Sequence, residues 1–91
     1  MLVMLCRNRV ADYSKWKFVF DSHAEAHRNA GLHLRDVWRD TAEPNNVFFL
    51  FEVASFERAQ SFIGDPAAAE AGQASGVLDG EYNFLESSPG Y

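Results

Sequence analysis

The chain has 91 residues, 47% of them hydrophobic and 23% charged, with a formal net charge of −5, which bounds it to one domain near the small end of what folds alone. An acidic balance argues against nucleic acid, whose phosphates require clustered lysine and arginine, and no apolar run approaches the roughly 18 residues of a membrane span. A lone cysteine, Cys6, rules out an internal disulfide and fits a reducing, cytoplasmic setting.

Leu2 to Val10 reads as the first strand, with Leu2, Met4, Cys6, Asn8 and Val10 on one face and Val3, Leu5, Arg7 and Arg9 on the other. The apolar opening lacks the basic n-region of a secretion signal. Asp12 is placed to cap the helix that follows. At about 100° per residue, Tyr13, Trp16, Phe20, His23, Ala24, His27, Ala30 and Gly31 fall on one wide stripe. That stripe faces the core and carries two histidines; Gly31 then ends the helix.

Leu32 to Asp40 reads as the second strand. Strict alternation puts Leu32, Leu34, Asp36 and Trp38 on one face and His33, Arg35, Val37 and Arg39 on the other. Thr41 to Asn46 is turn chemistry, so the next strand, Val47 to Val53, closes an antiparallel hairpin. In it Val47, Phe49, Phe51 and Val53 form one apolar row, and Phe48 and Leu50, broken only by Glu52, form a second. Both faces of this strand want cover. Ser55 caps a short helix with inner residues Phe56, Ala59, Phe62 and Ile63; Gly64 interrupts it, and Asp65-Pro66 restarts it through Ala71. Asp79-Gly80 reads as a turn, Glu81 to Glu86 as the fourth strand and Ser87 to Tyr91 as a tail.

The order is βαββαβ, which predicts an α+β, ferredoxin-like sandwich over residues 1–91, a four-stranded antiparallel sheet in a single domain. Right-handed crossovers place both helices on one face of the sheet. The other face is left with Phe48 and Leu50, so a homodimer through that face is expected, burying roughly 800 Å² per partner.

The stretch from Gly31 to Pro66 carries a resemblance. Trp38-Arg39-Asp40, Pro44-Asn45-Asn46-Val47, Glu52-Val53, Phe56-Glu57-Arg58-Ala59 and Phe62 before Asp65-Pro66 together resemble the dimeric α/β-barrel superfamily, in particular its antibiotic-biosynthesis-monooxygenase-like and uncharacterised members. The resemblance implies a dimer with sheets face to face and a ligand cleft between each sheet and its own helices. It also implies chemistry drawn from cofactor-independent oxygenases, haem degraders, polyketide cyclases and lactone isomerases. The catalytic residues of those enzymes mostly do not carry over. Val53-Ala54 stands where the oxygenases and haem degraders have Trp, no His lies between Pro66 and Gly76, and Phe62 and Ala68 stand where plant polyketide cyclases have Tyr and His. Asn8 alone matches a residue type that haem degraders use.

The polar residues expected beside the helices are Asn8, His23, His27, Asp36 and Tyr82. His23 and His27, four apart on one helix face, have the spacing of a metal-binding pair. With Asp36 as the one obvious third ligand and no cysteine nearby, no metal or other cofactor is expected. The same pair suits hydrogen bonding at a helix–sheet seam, or general acid/base work, with Asp36 orienting one imidazole. Trp16 and Trp38 offer flat walls for an aromatic or polyketide-like ligand, or simply core. Cys6 is inert packing, and neither a phosphate loop nor a nucleophile elbow appears. Two classes remain open: a small enzyme acting on a hydrophobic metabolite by His-assisted proton transfer (cyclase, isomerase or cofactor-independent monooxygenase), and a non-catalytic ligand-binding or structural dimer.

Overall fold

Alternation of side chains builds the sheet, and caps place the helices on it. The computed structural model describes residues 1–88, in the order β1 (Leu2–Val10), α1 (Tyr13–Ser22), α2 (Ala24–Asn29), β2 (Leu32–Arg39), β3 (Asn46–Val53), α3 (Phe56–Ile63), α4 (Pro66–Ala74) and β4 (Val77–Glu86). The strands pair antiparallel in the order β2-β3-β1-β4, the ferredoxin-like arrangement that the element order predicts. β3 is central and alternates as its sequence does: Val47, Phe49, Phe51 and Val53 are buried, and the residues between them are half-buried. Met4, Cys6 and Val10 of β1 extend the same layer, and Trp16, Ala30 and Ala59 cover it from the helices. Asp12 accepts hydrogen bonds from the Ser14 and Lys15 amides, Ser55 from Arg58, and Asp65 from Ala67, so each expected N-cap is in place. No helix among the described residues is long and apolar enough to cross a membrane.

The structure departs from the sequence reading in three places. The first helix is broken at His23 (φ −99°, ψ 10°) rather than running on to Gly31. The Ser22 hydroxyl and His23 Nδ1 both donate to the Val19 carbonyl, at 2.6 and 2.8 Å, and the His23 amide turns to the Phe20 carbonyl instead. Side chains that compete for a backbone carbonyl loosen a helix at that point.

β2 does not alternate throughout. Leu34 pairs with Phe51 but Asp36 pairs with Leu50, so Arg35 is an extra, bulged residue. Beyond it the faces exchange. Val37 and Arg39 turn toward the helices, while Asp36 and Trp38, expected there, lie opposite Leu50 and Phe48 on the far side of the sheet. Arg35 reaches Glu52 at 3.0 Å on that same side, and Arg39 stacks its guanidinium 3.9 Å over the Tyr13 ring on the helix side.

β4 is the third departure. Asp79 and Gly80 are strand residues paired with Arg9 and Asn8, so the strand starts at Val77 and no turn occurs there. Cross-strand chemistry explains both residues. The Asp79 carboxylate takes hydrogen bonds from Arg7 and Arg9. A Cβ on Gly80 would sit 2.6 Å from the end of the Asn8 side chain and 2.8 Å from the Arg7 carbonyl oxygen. After β4, the Ser87 amide donates to the Met1 carbonyl at 3.0 Å; residues 89–91 of the expected tail lie outside the described residues.

Gly31 closes α2 with φ +75°, a conformation that a side chain resists. Gly31→Ala is expected to lower stability by about 1–2 kcal/mol in urea denaturation, with the slope of the transition unchanged.

Candidate functional site: an apolar cleft with two histidines

Aromatic side chains at helical spacing on α1 meet the inner row of β3, and what they leave uncovered becomes a cleft. Trp16 stacks on Phe20 with centroids 4.6 Å apart, and Phe20 lies edge-on to Phe49 at 5.1 Å. Beside them opens a cavity of about 350 Å³, floored by Met4, Cys6, Phe49 and Phe51 and walled by Trp16, Phe20, His27, Phe62 and Ile63. The wall opposite α1 is α4 with its C-cap, which bring only Ala67, Ala68, Ala71 and Gly72 from the helix and Ser75 from the cap. A Cβ on Gly72 would meet no atom within 4 Å. Short side chains on this helix keep the cleft open. The sequence reading missed α4 as a wall, although its run of alanine with Gly72 and Ser75 was the signal.

The two histidines line the same cleft but differ in setting. His27 is set among rings, 5.0 Å from Phe20, 5.2 Å from Phe51 and 5.6 Å from Phe62 between centroids. Burial pushes its pKa down to about 4, and the neighbouring His23 adds to the shift. His27 is therefore a neutral aromatic wall at cellular pH. His23 stands at the helix break, with Nδ1 2.8 Å from the Val19 carbonyl and 3.2 Å from the Ser22 hydroxyl. Only an N–H satisfies a carbonyl, so Nδ1 carries the proton and the neutral ring has Nε2 as its acceptor.

Asn8 fixes one wall. Its side-chain amide, oriented so that both ends find partners, accepts from Trp16 Nε1 at 3.3 Å and donates to the Arg7 carbonyl at 3.0 Å. The close approach of Gly80 is what makes room for it. Tyr82, 53% exposed, stands at the rim, next to Phe84 and through it Phe56. Burial pushes the Cys6 thiol up to about 12, so it stays protonated and unreactive as expected.

Asn8, Trp16, His23, His27 and Tyr82 thus come together at the cleft. Asp36 and Trp38 do not, because the bulge at Arg35 carries both to the opposite face. The His23–His27–Asp36 set is consequently not assembled, and among the described residues no group of three or more His, Cys, Asp and Glu side chains stands as a metal site.

The histidine setting fixes a pH dependence. The folded-state pKa of His27, about 4, lies below the ordinary value of 6.5, so the unfolded chain binds more protons between those values. Stability should fall as pH drops from about 6.5 toward 4, with no further contribution from this group below that window. His27→Phe should flatten the dependence of the urea midpoint on pH across the same interval.

No protein-family model matches the chain, and no curated protein matches it in sequence. Solved structures do match in fold. An uncharacterized NIPSNAP domain protein from Burkholderia xenovorans superposes with a TM-score of 0.71 at 15% identity, covering 100% of this chain and 98% of that one. An antibiotic biosynthesis monooxygenase gives 0.71 at 15% identity over 98% of this chain and 100% of its own. SnoaB, a cofactor-independent oxygenase from Streptomyces nogalater, crystallised as a single-substitution variant, gives 0.73 at 12% identity over 94% and 91%. The likeness at these identities is one of fold: the chain has the ferredoxin-like architecture of antibiotic biosynthesis monooxygenase and NIPSNAP domain structures.

Proposed function

We propose that this chain binds a hydrophobic, aromatic or polyketide-like metabolite in the cleft between its sheet and helices. In this reading His23 serves as a proton acceptor for cyclase-, isomerase- or cofactor-independent oxygenase-type chemistry. The observation that carries the reading is the ring-walled cleft of about 350 Å³, held open by the short side chains of α4, within the size range of small-molecule sites. The fold shared with a cofactor-independent oxygenase supports the chemical half. His23 suits the role better than His27, because its Nδ1 is anchored to Val19 while burial makes His27 a poor base. Ligand carriage without chemistry is the second reading, favoured by the position of Asp36 on the far face, where it cannot orient either imidazole.

Filling the cleft tests the binding role. Ala71→Leu should raise stability by about 0.5–1 kcal/mol while abolishing any melting shift produced by a panel of naphthols and anthraquinones. A wild type that responds to none of the panel would overturn the proposal. His23→Gln should bind the same compounds within about twofold, since aromatic burial carries affinity, and lose turnover of any that the wild type converts.

We further propose a homodimer through the sheet face that bears Phe48 and Leu50, in the cytoplasm. Val3 and Leu5 of β1 adjoin them, Trp38 and Leu85 are each 45% exposed on that side, and Arg7, Asp79, Arg35 and Glu52 ring the patch in ion pairs. Such an apolar centre with a charged rim is the usual anatomy of an interface. Leu50→Asp is expected to give a folded 10.2 kDa monomer or insoluble protein, because an unpaired buried charge is strongly unfavourable. Sedimentation equilibrium finding the wild type itself monomeric at micromolar concentration would sink this part.

A further inference from the structure

The cleft carries a charge preference that follows from where the cations of the chain are. From Ala59 to Tyr91 the sequence contains Asp65, Glu70, Asp79, Glu81 and Glu86 and no lysine or arginine. That same stretch supplies the half of the cleft made by the end of α3, α4 and β4. The other half brings none either: among the described residues that line the cleft there is no lysine or arginine. Three of the nearby arginines are engaged elsewhere, and Arg28, next to His27 on α2, is not among the residues that line the cleft. Arg39 stacks on Tyr13, Arg58 donates to the Asn29 carbonyl, and Arg7 pairs with Glu81 and Asp79 across the sheet.

Two other sources of positive field are also closed. The N-terminus of α4 borders the cleft, but the Asp65 carboxylate already occupies it, accepting from the Ala67 amide at 2.9 Å. His27 is held neutral by burial among its rings. The carboxylates at the cleft are equally committed, Asp65 to its cap and Glu81 to Arg7 at 2.9 Å, so neither is free for a cationic guest.

We propose that the cleft selects uncharged aromatic molecules and rejects their anionic and cationic analogues, a restriction that rests on the binding role proposed above. An ion entering this cleft loses its hydration with no opposite charge to replace it. The neutral ester or phenol of the same ring system keeps its apolar burial and gives up far less hydration on entry.

Calorimetric titration of the wild-type chain with methyl naphthoate, naphthoate and naphthylmethylammonium at pH 7.5 tests this. The ester should bind, and both ions should bind at least about 30-fold more weakly, a gap that follows from uncompensated desolvation. Ala68→Lys places a cation on the α4 wall. Whatever its bulk costs both ligands, it should raise the ratio of naphthoate to ester affinity by about tenfold or more, and Ala68→Met, of similar bulk and no charge, should leave that ratio unchanged. Naphthoate or the ammonium compound binding the wild type as tightly as the ester would overturn the charge restriction and leave the binding role standing. Failure of all three to bind would overturn the binding role itself.

Discussion

The contact between Phe49 and Phe51 of β3 and Trp16 and Phe20 of α1 is what the rest of the structure depends on. These rings lie 5.1 to 6.2 Å apart between Phe20 and the two strand residues, and Trp16 is 5.5 Å from Phe49. Burying large aromatic surface is the strongest single driving force available to so small a chain. It seats α1 against the central strand and orients the whole helix layer. Because the bulky side chains belong to α1 and the short ones to α4, the layer is filled on one side and hollow on the other. The cleft is the consequence of that asymmetry.

Within the hollow, two histidines of the same spacing acquire different chemistry from their surroundings. His27 lies under three phenylalanine rings and loses its basicity to burial. His23 sits where Ser22 and its own ring draw on the Val19 carbonyl, and that competition breaks the helix. The break and the fixed tautomer are one event, since the hydrogen bond that displaces the backbone amide also decides which ring nitrogen holds the proton. Asn8 plays a comparable part for Trp16, holding the indole N–H so that a buried donor is satisfied.

Charge is distributed between the two faces of the sheet in a way that serves both. Arginines of β1 point away from the helices and bind the acidic residues of β4, which tie down the edge strand. The same placement empties the cleft of cations. The acidic residues Asp79 and Glu81 of β4 therefore have their partners on the far face of the sheet, while no lysine or arginine lines the cleft on the helix side.

Much of this was legible in the sequence, because local patterns follow from local geometry. The element order, the capping residues Asp12, Ser55 and Asp65, the two-sided character of Val47 to Val53 and the joint placement of Asn8, Trp16, His23 and His27 all follow from periodicity and turn chemistry. What the tertiary structure decided was the face of each residue wherever the period was interrupted. A bulge needs no unusual residue: Arg35 has the composition of any strand position, yet its insertion sent Asp36 and Trp38 to the side opposite the histidines. Asp79-Gly80 has the composition of a turn, but two arginines and the Asn8 side chain on the neighbouring strand make it strand. Alternation along one chain sets which residues share a face only while pairing stays regular. The partner strand determines where that regularity ends, and the partner is chosen by contacts far apart in sequence.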